Sequence, residues 1–243
     1  MILSEKLETA QKSFKKWRQV PFSEKQQYLF KLADLLEKNA EKFGKNITLE
    51  MNKPLSQSIA EIEKCALMAK YYGNAENILK PEKIKTEYRV SEIHYAPLGV
   101  ILGVMPWNFP FWQVLRFAVP AILAGNTVVL KHASICFGSG RMIEKLFTDA
   151  GFPEGVFQNL EIGHAEVKSV LENPIIKGVS LTGSEKAGAE IASTAGKNIK
   201  KSLLELGGSD AFIVLDDSDF NEAAKSGAKA RLPGTSSWKA SSM

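Results

Sequence analysis

The sequence is poor in cysteine. Only Cys65 and Cys136 occur among the 243 residues, far apart and without a closely spaced second cysteine. Two isolated thiols argue against a disulfide framework and against a structural metal site, and they are typical of a reducing compartment. We therefore predict no metal ion and a cytoplasmic location.

The sequence also lacks a large excess of charge of one sign and a long apolar run. The 31 basic and 27 acidic residues leave a net charge of +4 and are spread along the chain, which gives no basis for nucleic-acid binding. Residues 1–6 carry charge where a signal peptide needs an apolar core, and the apolar stretch 117–125 is too short to cross a bilayer. We predict no nucleic-acid partner and no membrane partner.

Residues 100–131 form the most informative stretch that is present. Val100–Met105 is an unbroken apolar run closed by Pro106, as expected of a strand buried on both faces. Asn108 can cap a following helix that ends near Gly125, and residues 127–130 form a second strand. This βαβ pattern places the loop 106–109 at the carboxyl end of the first strand, where open α/β sheets bind ligands.

The alternation of strand and helix then continues. Further strands are predicted at 156–160, 178–181 and 201–204, with helices at 134–150, 165–171 and 185–195. Amphipathic helices precede the first βαβ unit, including one that begins at Ser23 and continues to Phe43. The fold class is α/β, a doubly wound, parallel, Rossmann-like sheet with N-terminal helices.

Three further regions lie outside these strands and helices. Residues 84–97 predict a protruding, half-exposed antiparallel ribbon. Residues 211–215 predict one more strand, and a helix capped near Asp217 follows it. Residues 231–243 are small, polar and without periodicity, which indicates a disordered tail.

Four short motifs carry a family resemblance. They are Pro-Trp-Asn-Phe-Pro at 106–110, Lys131 at a strand end, Leu-Thr-Gly-Ser at 181–184 and Leu-Glu-Leu-Gly-Gly at 204–208. In order and spacing they resemble the aldehyde dehydrogenase superfamily over about residues 5–230. The general sequence pattern is most similar to the succinate-semialdehyde dehydrogenase-like branch of that superfamily. The resemblance implies an NAD(P)-binding domain formed by 1–83 and 98–207. It also implies an oligomerisation strand at 84–97, hence a homo-oligomer, and the start of an incomplete catalytic domain at 208–230.

The resemblance also implies the residues that meet the cofactor. These are Met105, Pro106, Trp107, Asn108, Lys131, Ser134, Gly163, Gly183, Ser184, Leu206 and Gly207. Family members that use NAD commonly have a glutamate at the position of Ser134, which grips the ribose hydroxyls and would repel a 2′-phosphate. NADP therefore joins NAD as an expected cofactor. His132 occupies a position where members of the family usually have proline, so the local backbone geometry could differ from theirs.

Two residues are assigned catalytic roles by the resemblance. Asn108 would donate to an oxyanion, and Glu205 would be the general base that activates water. The structural alternatives are a helix cap for Asn108 and an ion pair with a lysine for Glu205. Because Glu205 lies at the end of an apolar strand, we expect its carboxylate to be partly desolvated.

The nucleophilic cysteine of the family has no counterpart. Its expected position is near Lys239, and no cysteine follows Cys136. Cys136 should lie on the adenine side of the cofactor cleft, away from Asn108 and Glu205. The resemblance thus implies an enzyme that oxidises a small aldehyde to the acid with NAD(P), here inactive because the nucleophile segment is missing. The alternative is a non-catalytic nucleotide-binding or assembly module.

Overall fold

A computed structural model of the chain describes residues 2–76 and 79–231. Four helices come first: α1 (Leu3–Trp17), α2 (Phe22–Lys38), α3 (Ala40–Met51) and α4 (Leu55–Asn74). Two very short strands follow: β1 (Glu82–Lys83) and β2 (Glu92–Ile93). Alternating strands and helices then complete the chain: β3 (Val100–Met105), α5 (Trp112–Leu123), β4 (Thr127–His132), a 3₁₀ turn (Ser134–Cys136), α6 (Phe137–Asp149), β5 (Phe157–Asn159), α7 (His164–Glu172), β6 (Ile176–Gly183), α8 (Glu185–Lys197), β7 (Lys201–Leu206) and α9 (Phe220–Arg231).

The main sheet is parallel and has the strand order β5-β4-β3-β6-β7. β3 pairs with β4 from Val100 opposite Thr127 to Met105 opposite His132. From β3 the chain winds outward through β4 to β5 and then crosses to β6 on the other side of β3. The predicted doubly wound parallel sheet is confirmed, and its switch point lies between β3 and β6. Such switch points open a crevice at the carboxyl edge of the sheet.

Apolar side chains pack on both faces of this sheet. Val128 and Leu130 of β4 join a cluster with α2 to α6, whereas Val129 joins a second cluster with α1, α7 and α8. Successive side chains of a strand point to opposite faces, so an unbroken apolar run fills both clusters. The prediction that the β3 run is buried is confirmed.

The N-terminal helices differ from the prediction at Asn39. A single helix from Ser23 to Phe43 was expected, but α2 ends at Lys38 and α3 begins at Ala40. The Asn39 side chain donates to the Leu35 carbonyl oxygen at 2.8 Å. Asparagine side chains that bond locally to the backbone compete with helix continuation, which accounts for the break.

The ribbon is antiparallel, as predicted for 84–97, but nearly all of its residues are exposed rather than every second one, and regular pairing covers only Glu82–Lys83 with Glu92–Ile93. Its role in oligomer contacts stays a prediction. Within residues 2–76 and 79–231, none of the helices combines the length and the apolar character that crossing a bilayer requires.

The region after β7 departs from the prediction. Residues 211–215 do not form a strand, because their exposed backbone finds no neighbouring strand to pair with among the described residues. Helix α9 is present, but Asp219 rather than Asp217 caps it, accepting from the Asn221 and Glu222 N–H groups. The predicted tail 231–243 lies outside the described residues, apart from Arg231 at the end of α9.

Candidate functional site

A cleft of about 1620 Å³ opens at the carboxyl edge of the sheet, around the ends of β3, β4, β6 and β7. All the predicted site residues except Gly163 line it: Met105, Pro106, Trp107, Asn108, Lys131, Ser134, Gly183, Ser184, Glu205, Leu206 and Gly207. Gly163 is separate, since its N–H donates to the Glu166 carboxylate at 2.8 Å at the start of α7. The topology thus brings residues from four strand ends to one surface.

Lys131 is the most unusual charge in this cleft. Its residue is only 2% exposed, yet its ammonium forms no hydrogen bond or ion pair with any residue that the structure describes. Burial lowers the pKa of this amine below its ordinary value. A buried ammonium is costly unless an acceptor or anion meets it, so the geometry favours a ligand oxygen in the cleft.

Ser134 begins the 3₁₀ turn directly beyond β4, on the exposed rim of the same cleft. No carboxylate occurs within this three-residue turn. His164 and Lys168 of α7 also line the cleft and were missed from the sequence, where a histidine opening a helix and a helical lysine give no distinctive signal. This rim therefore carries hydroxyl and basic groups, and the carboxylates of Glu172 on α7 and Glu190 on α8 line the cleft as well.

Gly183 and Ser184 lead into the N-terminus of α8. The Ser184 hydroxyl accepts from the Ala187 N–H at 3.3 Å and so acts as the helix cap. The hydroxyl is therefore engaged within the protein, and the helix N-terminus meets the cleft through its backbone N–H groups and its dipole.

Asn108 lies in the turn between β3 and α5. Helix α5 begins at Trp112, and the carboxylate of Glu61 accepts from the Phe111 and Trp112 N–H groups at 2.9 Å each. The cap interpretation of Asn108 is therefore wrong. Its Oδ1 is buried without a hydrogen-bond partner among the described residues, and the amide Nδ2–H₂ is the group that can donate to a ligand.

His132 continues β4 in regular pairing with β3, so the departure from proline does not disturb the backbone. Its Nδ1 accepts from the Ala133 N–H at 2.9 Å, and its Nε2 lies 3.0 Å from the Pro110 carbonyl oxygen. Burial is the main cause that lowers the pKa of this imidazole to about 4. The ring is therefore neutral near pH 7, with its Nε2–H donating to Pro110.

Glu205 is more exposed than expected. Its side chain is 46% exposed and forms an ion pair with Arg116 of α5. The predicted desolvation is wrong because β7 is the outermost strand and most of its residues face solvent. An ion pair is present, though with an arginine rather than a lysine. Arg116 could have been noticed as the lone charge in the otherwise apolar segment Trp112–Leu123.

Both cysteines are fully buried. Burial is the main cause that raises the pKa of the Cys136 thiol to about 12, and the Cys65 thiol pKa is raised as well. Cys136 Sγ lies 3.8 Å from the Trp107 carbonyl oxygen. The expectation that Cys136 sits far from Asn108 is therefore wrong, because the turn that carries Cys136 packs behind the 106–111 loop. It does not line the cleft.

Comparison with known proteins gives the same assignment along most of the chain. A family model described as the aldehyde dehydrogenase family matches residues 3–234. A probable succinate-semialdehyde dehydrogenase [NADP(+)] of Synechocystis is 49% identical over 93% of this chain and 50% of its own length. A succinate-semialdehyde dehydrogenase [NADP(+)] of Deinococcus radiodurans is 42% identical over 94% of this chain and 48% of its own length.

A solved structure agrees with these sequence matches. The succinic semialdehyde dehydrogenase of Streptococcus pyogenes in complex with NADP+ superimposes with a TM-score of 0.92 and 39% identity, over 96% of this chain and 51% of that one. The chain thus spans about half the length of the curated relatives that it matches. With these matches, the chain belongs to the aldehyde dehydrogenase family.

Proposed function

We propose that this chain forms the cofactor-binding part of an NADP-dependent aldehyde dehydrogenase, with succinate semialdehyde as the first candidate substrate. The relatives named above supply the substrate class. The observation that carries the cofactor assignment is Lys131, a residue only 2% exposed whose ammonium has no partner among the described residues, beside the carboxylate-free turn at Ser134. An anionic, hydroxyl-rich ligand satisfies both features.

The residues of the cleft fit a phosphorylated dinucleotide. Lys131 would meet ribose or phosphate oxygens, and the Ser134 hydroxyl can donate to a 2′-phosphate, where a carboxylate would repel it. The N-terminus of α8 offers free backbone N–H groups and a positive dipole end to a pyrophosphate. When bound, NADP supplies the hydride acceptor for aldehyde oxidation.

Two side chains of the cleft fit the chemistry of aldehyde oxidation. The Asn108 amide would donate to the carbonyl oxygen of the aldehyde as negative charge develops there. Glu205 would accept a proton from water after its carboxylate separates from Arg116. The described cleft holds no thiol, so the proposal includes that residues 1–243 by themselves do not oxidise aldehydes.

A second candidate is a non-catalytic nucleotide-binding module. It is favoured by the state of the two thiols, which are buried and held protonated. Both candidate functions use the same cofactor cleft, and they differ only in whether the protein oxidises an aldehyde.

Calorimetric titration with NADP tests the cofactor site. We expect Lys131→Met to weaken NADP binding at least about tenfold, equivalent to about 1.4 kcal/mol, without loss of folding because the substitution removes an unpaired buried charge. Lys12→Met, at an exposed position of α1, is the matched control and should bind as the unaltered chain does. Unchanged affinity in Lys131→Met would refute the assignment.

A further inference from the structure

The position of the Asn108 side chain depends on contacts that other residues make with its loop. The Asn108 side chain forms no hydrogen bond with any described residue, and its Oδ1 is buried without a partner. A side chain with no bond of its own takes its position from the backbone on either side. Whatever restrains residues 107–112 therefore also sets the direction in which the Asn108 amide points.

A buried ion pair lies directly beneath this loop. Lys53 Nζ is 2.6 Å from Glu61 Oε2, and the two side chains are 2% and 1% exposed. Lys53 follows the left-handed Asn52 between α3 and α4, and Glu61 lies on α4. Lys53 thus belongs to the connection between two core helices and Glu61 to the second of these helices, and neither side chain lines the cleft.

The contacts of this pair converge on the residues next to Asn108. The second oxygen of Glu61 accepts from the Phe111 and Trp112 N–H groups. The Lys53 ammonium lies 3.7 Å from the centre of the Phe109 ring, the distance of a cation–π contact. The pair therefore contacts both Phe109, the residue after Asn108, and the N–H groups at the start of α5.

Stability alone gives a poor account of this arrangement. A fully buried ion pair loses hydration on both partners, and apolar residues of similar volume are often as stabilising or more so. Such pairs are instead useful where one geometry has to be specified. The charge-assisted bonds of Glu61 to two backbone N–H groups are directional and strong enough to fix where the loop ends.

We propose that Lys53 and Glu61 are positioning residues, which hold the 106–112 loop so that the Asn108 amide faces the carbonyl oxygen of the aldehyde. This role rests on the proposed function, since the Asn108 amide meets an oxyanion only there. His132 and Cys136 also contact the same loop, at Pro110 and Trp107. The Lys53–Glu61 pair is the only one of these anchors that reaches Phe109 and α5 within the part of the chain that the structure describes.

The test is a double variant, Lys53→Met with Glu61→Gln, which removes both charges together and leaves neither one unpaired. Nuclear magnetic resonance of the cofactor-free chain reads the side-chain amide signals of Asn108, and hydrogen exchange reads the Phe111 and Trp112 amides. The matched control is Lys70→Met with Glu37→Gln, which removes a surface pair of the same type. The Asn126 side-chain amide, bonded to Leu98, Gly99 and Ala121, is the internal reference.

We expect the double variant to shift and broaden the Asn108 amide signals and to speed exchange at Phe111 and Trp112 at least about tenfold. The Asn126 signals and the β3 amides should stay unchanged, and Lys53→Arg should keep the Asn108 signals. Unchanged Asn108 signals would overturn the proposal, and so would equal loosening throughout the sheet, which indicates a general structural role. If the double variant does not fold, Lys53→Gln with Glu61→Gln, which likewise leaves no unpaired charge, carries the same expectations.

The experiment on the loop and the test of the proposed function have independent outcomes. The resonance and exchange measurements use no cofactor, so they report on the loop even if the chain binds no NADP. Absent NADP binding with a displaced Asn108 would refute the proposed function and keep the positioning relationship. Tight NADP binding with an undisplaced Asn108 would refute the positioning role alone.

Discussion

His132 Nε2 donates to the Pro110 carbonyl oxygen at 3.0 Å, and this bond ties the end of β4 to the loop that carries Asn108. The neutral imidazole fits these contacts, because its Nδ1 accepts from the Ala133 N–H at 2.9 Å, a donor that it shares with the Met105 carbonyl oxygen. Protonating the ring would replace this acceptor with a second donor facing an N–H group. The loop is therefore coupled to the charge of one buried histidine.

The first prediction follows from the His132 pKa, which burial lowers from 6.5 to about 4. Between these values the unfolded chain binds more protons than the folded chain, so stability is lost as pH falls from about 6.5 towards 4. For a shift of this size, His132 should make the free energy of unfolding about 2 kcal/mol lower at pH 5 than at pH 7.5. Urea unfolding at both pH values measures it.

The control for this prediction is the exposed His94, whose ring pairs with Glu92. His132→Gln should lose most of the difference between the two pH values, whereas His94→Gln should keep it. Equal pH dependence in the unaltered chain and in His132→Gln would show that the imidazole is not the group that titrates.

The second prediction is that residues 1–243 do not oxidise aldehydes. With its thiol pKa raised to about 12 and its side chain fully buried, Cys136 offers almost no thiolate near pH 7.5 and no access to the cleft. Succinate semialdehyde and other small aldehydes, mixed with NADP or NAD, should give no reduced cofactor by absorbance. Turnover that disappears in Cys136→Ala would contradict the placement of this thiol. Turnover that needs Glu205 but neither cysteine would require a different reaction.

The third prediction concerns the exposed apolar residues around β7. Leu203 is 61% exposed, Ile213 is 75% exposed and Leu215 is 62% exposed, and large exposed apolar side chains promote association. Light scattering should show a mass that rises with protein concentration, and Ile213→Ser with Leu215→Ser should reduce the rise. Leu49→Ser, at an exposed apolar residue on α3, is the control and should leave it unchanged. A constant monomer mass across concentrations would refute this expectation.

The sheet was predictable because its strands carry their own signal. Val100–Met105 is apolar throughout, since both of its faces are covered, and it ends at a proline. Its loop was recognisable from the motif at 106–110. The cleft residues were implied by the family resemblance, and the sheet brings them together because the carboxyl ends of neighbouring parallel strands share one edge.

The remaining features depend on partners that a sequence does not reveal. Lys53 and Glu61 are a lysine and a glutamate eight positions apart, a spacing common on solvated surfaces, and only packing shows that they are buried. Residues 211–215 are apolar, but an apolar run does not disclose whether a neighbouring strand exists to pair with it. The exposure of Glu205 depends likewise on what covers the outermost strand.

The central claim is that the Lys131 and Ser134 end of the cleft accepts a 2′-phosphate, and calorimetric titration of one preparation with NADP and with NAD tests it most directly. We expect NADP to bind at least as tightly as NAD. Ser134→Glu should weaken NADP binding by at least about tenfold, or about 1.4 kcal/mol, and affect NAD much less, because the new carboxylate repels only the 2′-phosphate. Binding of NAD with NADP about tenfold weaker or more in the unaltered chain would contradict the account.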